Sequence, residues 1–184
     1  MKKSLSLLLI FCLLLPLVSC KTPKEIPVYR AYNEKKNVYI DVGMTKAEVD
    51  AMLGESVEFS GLPCGYIYFN GDEKNQVIVR YIYPEGIYDE YPEVNSDFVV
   101  LAIRIDKKNW IVHDPTCRIG GKGSDLSSKF HDTKSSPTIY YDSYYDKQGQ
   151  WVENPFDEYP PYYISATAED DIIHLIMVGR PIFR

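Results

Sequence analysis

Few side chains in this sequence could do chemistry. His113, His131 and His174 are its only histidines, and its thiols are those of Cys12, Cys20, Cys64 and Cys117. The pairs His113-Asp114 and His131-Asp132 set imidazole beside carboxylate, both good ligands for a zinc-like ion. No HxxxH or HxH spacing accompanies them, so no metal site is expected. His174 stands inside the apolar run IIHLIMV and reads as a strand residue on the less buried face. Serine and aspartate are abundant, yet there is no GxSxG elbow and no ordered triad. Gly120 to Ser124, GGKGS, invites comparison with a phosphate loop but lacks the GxxxxGK[ST] spacing. A nucleophilic thiol needs a base to hold it as thiolate, and no sequence pattern brings a histidine to Cys64 or Cys117. The expectation is a protein without enzymatic activity and without a cofactor.

The one covalent site the sequence points to is Cys20. Lys2 and Lys3 precede an apolar run from Leu5 to Leu15 that ends in LVSC, the form of a secretory leader. The run is shorter than the roughly 20 residues that span a bilayer. Leu17, Ser19 and Cys20 resemble a bacterial lipobox, which implies removal of residues 1–19 and acylation of Cys20. An ordinary leader with an incidental cysteine is the other reading. Two or three acyl chains would hold the chain stably on a membrane. Lys21 follows where an acidic residue would signal inner-membrane retention, so the expected place is the outer membrane, facing the periplasm. Of 20 basic side chains, Lys2 and Lys3 leave with the leader, and the remaining 18 face 26 acidic ones, a balance of −8. Such a balance argues against nucleic acid as a partner. Residues 20–37, with Pro23, Pro27 and Lys21, Lys24, Lys35 and Lys36, read as a lipidated flexible tether.

With Cys12 in the leader and Cys20 acylated, Cys64 and Cys117 remain as thiols in an oxidising compartment. A disulfide between them would close a long loop and contribute about 2–4 kcal/mol. Two unpaired buried cysteines acting as small apolar residues are the alternative.

Chemistry of any kind needs elements to hold it. In VGMTKAEVDAMLGES, Thr45 and Glu48 form a capping box, Val49, Met52 and Leu53 give one apolar helical face, and Gly54 ends the helix. Strand patterns follow at Gly65 to Phe69, Gln76 to Tyr83 and Phe98 to Asp106, with an Asn70-Gly71 turn signal after the first. In the last of these Val99, Leu101, Ile103 and Ile105 are expected on one face. The pattern then recurs. Cys117 to Phe130 lays over Ile40 to Leu53 without a gap, and strand patterns follow at Ile139 to Tyr145, Tyr162 to Ala168 and Ile172 to Val178. Glu169, Asp170 and Asp171 read as a tight turn between the last two. An offset of 77 residues is what a tandem duplication would leave, and chance likeness of two helix starts is the alternative.

Gly43, Met44, Thr45, Val49, Leu53 and Gly54 match the turn and helix that open the small module of the SmpA/OmlA outer-membrane lipoproteins, which the segment resembles. The proline usual after the glycine is replaced by Glu55 and Ser56. The resemblance implies an α+β fold with a three-stranded antiparallel sheet. Two such modules in tandem resemble the architecture of β-lactamase-inhibitor proteins, which implies a concave sheet face that binds another protein. The expected organisation is a helix-plus-three-strand module over residues 38–112 and a second, divergent one over 113–184.

Binding residues are sought among the aromatics, of which tyrosine alone supplies 16. DEYP occurs twice, at Asp89 to Pro92 and Asp157 to Pro160, each in an acidic proline-containing loop. Tyrosine offers a rigid apolar ring and a hydroxyl at low entropic cost. Tyr88, Tyr91 and Tyr159 are therefore expected to contact a partner, and Trp110 and Trp151 could stack on a sugar. The expected function is a protein-binding or envelope-assembly module. Inhibition of a secreted or periplasmic enzyme, or carbohydrate binding at a surface, are the alternatives.

Overall fold

A computed structural model describes residues 25–61, 64–83, 93–126, 128–135, 137–153 and 161–180. Cys20, Tyr88, Tyr91 and Tyr159 lie outside the described residues. No helix among the described residues is long and apolar enough to cross a membrane.

The strands are β1 (Arg30–Asn33), β2 (Val38–Asp41), β3 (Ser56–Glu58), β4 (Gly65–Tyr68), β5 (Val77–Ile82), β6 (Val99–Ile105), β7 (Trp110–Ile111), β8 (His131–Ser135), β9 (Thr138–Tyr145), β10 (Trp151–Val152), β11 (Tyr162–Glu169) and β12 (Ile172–Gly179). The single α-helix among the described residues, α1, spans Lys46–Leu53. One sheet runs β10-β9-β11-β12-β6-β5-β4-β3, with β8 also on β9, and a second runs β2-β1-β7. Every pairing is antiparallel. One register row crosses the large sheet from Val57 through Ile67, Ile78, Arg104, Met177, Ser165 and Asp142 to His131.

The expectation of an α+β fold with a helical segment in each module is overturned. The protein is mostly β, and the segment laid over α1 forms only a three-residue 3-10 turn, Gly123–Asp125. The cause lies in the side chains. Thr45 accepts from the Glu48 amide while Glu48 accepts from the Thr45 amide, so α1 begins with two of its free amides satisfied. At the corresponding place Lys122 supplies no cap, and KAEVDAML is replaced by GSDLSSKF. Gly and Ser for Lys and Ala weaken helix formation, glycine by about 1 kcal/mol relative to alanine. Gly123 is also held small by its neighbour, since a Cβ there would lie 2.8 Å from the Tyr141 ring.

Around these different covers the backbone repeats itself. The amide of Gly43 bonds to the Val100 carbonyl at 2.8 Å, that of Val100 to Met44 at 2.8 Å and that of Lys46 to Phe98 at 2.7 Å. Gly120 to Ile173 at 2.7 Å, Ile173 to Gly121 at 2.8 Å and Gly123 to Asp171 at 2.9 Å form the same set. Gly43 and Gly120 both take positive φ, +96° and +81°. The β5–β6 and β11–β12 registers shift at Arg80/Tyr81 and Thr167/Ala168, leaving Leu101 and His174 as the extra residues. The halves meet about the Arg104–Met177 pair, where Ile103 opposes Val178 and Ile105 opposes Ile176. This is a local twofold relation, and it fuses the two strand sets into one sheet.

The bulge corrects the expected period-two face of β6. Val100, Ile103 and Ile105 enter the core, whereas Val99 is half-buried and Leu101 lies outside the core cluster. The core forms between one face of the large sheet and a layer made of α1 and the small sheet. It takes Val77, Val79 and Tyr81 of β5, Ile164, Ala166 and Ala168 of β11, Val49 and Leu53 of α1, and Ala31, Ile40 and Trp110 of the small sheet. Trp110 is 1% exposed and donates its indole N–H to the Asn75 carbonyl at 2.7 Å. Asn75 also accepts from the side chains of Asn33 and Asn109, so one amide ties both sheets together. Asp50 accepts from the Tyr68 hydroxyl at 2.6 Å, which fastens α1 to β4.

The tether expectation fails over the described part of residues 20–37. Ile26, Val28, Ala31 and Tyr32 are buried and β1 pairs with both β2 and β7. The lysines at 35 and 36 belong to a tight turn whose amides bond to the Asn33 side chain.

Candidate functional site

The far face of the large sheet, opposite the core, carries the site. Residues there alternate with the core residues along each strand and stay outside the core cluster. Val57 at one end is 51% exposed and Tyr140 at the other is 43% exposed. Between them one register row runs Arg80–Ala102–Gly179–Tyr163–Tyr144. Two small residues thus sit between an arginine and two tyrosines, and the gap is a cleft of about 260 Å³ completed by Leu101, Asp142, Met177 and Arg180. Gly179 is required there, because a Cβ would stand 2.9 Å from Ala102 Cβ and 3.0 Å from the Tyr163 ring. Arg180 is anchored by its amide to the Leu101 carbonyl at 3.0 Å. Its guanidinium rests over Gly43, where a Cβ would be 3.1 Å away.

The electrostatics of this face are unequal. Among the described residues the ion pairs join Arg30 to Asp41, Lys36 to Asp72, Lys46 to Asp50 and Lys107 to Asp106, and none engages Arg80, Arg104 or Arg180. Arg104 also buries its Nε without a hydrogen-bond partner. Among the described residues Asp142 is the one carboxylate lining the cleft. Burial holds its carboxyl above the ordinary range, against a Ser165 hydrogen bond and the His131 charge. Burial likewise pushes the Tyr163 hydroxyl up to about 12, so it stays a neutral donor.

A second cleft, about 460 Å³, is lined by His113, Asp114, Cys117, Arg118, Glu25 and Glu34, among others. It brings a histidine to Cys117, which no sequence pattern indicated. The group is nevertheless not built as a nucleophile. Burial, reinforced by Asp114, pushes the Cys117 thiol up to about 12, far from the depressed values of reactive thiolates. The His113 ring bonds through Nδ1 to the Ile26 carbonyl at 2.6 Å, an acceptor only, so Nδ1 holds the proton. Its ring stands edge-on to Tyr145.

The remaining sequence candidates are scattered. Cys64 and Cys117 are free thiols, so the expected disulfide is not formed, and the alternative of two unpaired cysteines describes them, half-buried and buried respectively. Trp110 is in the core, which removes it as a binding surface. Trp151 is half-buried in β10, donates its indole N–H to the Lys129 carbonyl at 2.7 Å, and has His131 stacked 6.0 Å from its ring. One face of that ring is thereby occupied. His174 is exposed at the β12 bulge. Among the described residues no three His, Cys, Asp or Glu side chains gather as metal ligands would. Sequence reasoning missed Arg80, Arg104, Arg180, Tyr144 and Tyr163. The available signal was alternation, since Arg80 and Arg104 interrupt two strands of otherwise apolar residues. Compared with protein-family models, with curated proteins and with solved structures, the chain matches none.

Proposed function

We propose that this chain is a lipid-anchored envelope protein that binds another protein through the far face of its large sheet and carries out no reaction of its own. The observation that carries the reading is that face. It presents apolar and aromatic side chains outside the core, from Val57 to Tyr140, around arginines with no acidic partner among the described residues. Sheet faces rich in tyrosine and arginine suit protein recognition, because such side chains combine large contact area with directed donors. A cleft of about 260 Å³ is below the roughly 300–1,000 Å³ of small-molecule sites, which favours a macromolecular partner. Acylation at Cys20 would place the molecule on the outer membrane facing the periplasm. The resemblance of Gly43 to Gly54 to the SmpA/OmlA module supports an assembly or scaffold role.

Two measurements test the reading. A fatty-acid analogue should label the wild-type chain and not Cys20→Ala; equal labelling would refute the anchor. A photo-crosslinking residue placed at Val57 or Tyr140 should give adducts with one and the same envelope protein in the native cell, reproducible with that protein purified. The same residue at Lys35 or Ala47, on the other layer, should give none. Adducts from Lys35 and Ala47 alone would defeat the assignment of the far face. An inhibitor of a secreted enzyme is distinguished by the adduct itself, which would then be a soluble enzyme with a blocked active site.

A further inference from the structure

We infer that the notch between Arg80 and Tyr163 is a carboxylate subsite, which receives an aspartate or glutamate side chain from an acidic segment of the partner protein. The inference rests on the far face being the binding surface and names the chemistry it selects.

Four observations converge on it. The register puts Ala102 and Gly179 side by side on adjacent strands, flanked by Arg80 and Tyr163. Adjacent strands lie about 4.8 Å apart, so the floor is wide enough for one side chain and too narrow for a fold. Arg104 is two residues from Ala102 on the same strand and pairs with Ile78, two residues from Arg80, so the two arginines are diagonal neighbours on one face. Arg80 and Arg180, the residue after Gly179, line the notch and Arg104 lies beside it, none in an ion pair with a described residue. In a chain whose acidic residues outnumber its basic ones, 26 to 20, a cleft whose described lining holds two arginines against the single carboxylate of Asp142 is a local exception.

The guanidinium fork matches a carboxylate with two parallel hydrogen bonds, and a neutral Tyr163 hydroxyl adds a donor. Phosphate is the competing anion. Asp142 on the lining opposes it, because a dianion beside a carboxylate is repelled more than a monoanion. The rest of the lining, Leu101, Met177 and the Tyr144 ring, is apolar or aromatic and suits the stem of an amino-acid side chain better than a bare inorganic ion. Gly43 acts here as a positioning residue, since its missing Cβ is what lets the Arg180 guanidinium lie where it does.

The experiment uses the detergent-solubilised full chain and a fluorescent hexaglutamate peptide, with hexaglutamine and tripolyphosphate as comparators. Hexaglutamate should bind and hexaglutamine should not. Arg80→Gln with Arg180→Gln should weaken binding at least tenfold at an unchanged thermal midpoint. Lys74→Gln with Lys108→Gln removes the same charge from exposed sites elsewhere and should change binding less than twofold. A photoreactive group on the peptide should mark β9 and β11 of the wild-type chain, a readout that does not depend on any variant folding. Equal losses in both double variants, displacement by tripolyphosphate at lower concentration than by unlabelled peptide, or marks confined to other strands would overturn the inference. Failure of hexaglutamate to bind while Val57 and Tyr140 still crosslink would sink this subsite alone. Peptide binding without any far-face adduct would leave the subsite and defeat the proposed function.

Discussion

The two halves of the large sheet share a backbone plan and differ in what they display. On the core face most related positions stay apolar, as Val77 and Ile164, Val79 and Ala166, Tyr81 and Ala168, and Ile103 and Ile176 do, whereas Tyr68 is matched by a buried Ser143 that bonds to the Tyr145 hydroxyl. On the far face the related positions change class: Ile67 against Asp142, Ile78 against Ser165, Arg80 against Thr167, Arg104 against Met177. Both halves carry the same burden of burying one face against a second layer, and a polar group there would be desolvated without compensation. The far face has no such burden. Its residues are free to specialise: the first half supplies Arg80 and Arg104, and the second supplies Asp142, Tyr144, Tyr163 and Arg180.

The covers of the two halves differ in the same instructive way, and substitutions can break or sharpen the contrast. The largest effect is expected at Leu53, buried on α1. Leu53→Ala should cost about 2–5 kcal/mol in denaturant unfolding. Phe130 holds the related place but is only half-buried, so Phe130→Ala should cost below about 2 kcal/mol. Equal losses would mean that the short turn is as much a core partner as the helix.

Next come the paired glycines. Gly43→Ala and Gly120→Ala should each cost about 1–2 kcal/mol, because both positions are left-handed. Gly43 should be the worse, since its methyl must also displace the Arg180 guanidinium at 3.1 Å while the nearest atom to the other, on Lys108, is 3.7 Å away. The reverse order would show that Arg180 is not seated on Gly43.

Capping separates the halves at smaller scale. Thr45→Ala removes the hydroxyl that accepts from the Glu48 amide and should cost about 1 kcal/mol by thermal or chemical unfolding. Lys122→Ala should fall within about 0.5 kcal/mol of wild type, as this side chain caps nothing. The 3-10 turn is held from outside, by Asp171 accepting from the Ser124 amide and hydroxyl, both at 2.7 Å.

The smallest change is expected at Asp142, where the first half carries Ile67. Burial raises this carboxyl in the folded state, so ionising it costs stability above its folded pKa. The cost fades as pH falls through that value and is gone below the ordinary carboxylate pKa of about 3.9. Asp142→Asn should therefore raise the thermal midpoint at neutral pH and leave it unchanged in acid. A lower midpoint at neutral pH would show that the charge is stabilised by its surroundings instead.

Local patterns made much of this molecule legible beforehand. The capping box and apolar spacing of Thr45 to Gly54 specify α1 almost by themselves, because both depend on residues three or four apart. Six strands were expected within two residues of where they lie, from alternation and turn residues. The turn at Asp170-Asp171 has both residues at positive φ, 49° and 65°, as a tight hairpin needs. The second helix was misread because the overlay carried helical meaning from KAEVDAML onto GSDLSSKF, whose glycine and serines do not sustain it. The buried β1 was misread as tether because four residues with prolines nearby give too short a pattern; its pairing with β7, nearly eighty residues onward, supplies the order.

What the sequence determined by itself, then, is what arises between near neighbours: α1, the hairpins of the large sheet, and the doubling of one turn-and-strands plan. Only the tertiary structure decided the rest. Pairing of β6 with β12 made one sheet of two strand sets and set the Arg104–Met177 pair at its centre. Pairing of β1 with β7 built the layer that buries Trp110. The same register aligned Arg80, Ala102, Gly179 and Tyr163, residues from four strands spread over a hundred positions, into one row. No local periodicity encodes such a row, because which residues face each other across strands depends on the bulges and on the order in which distant strands pair.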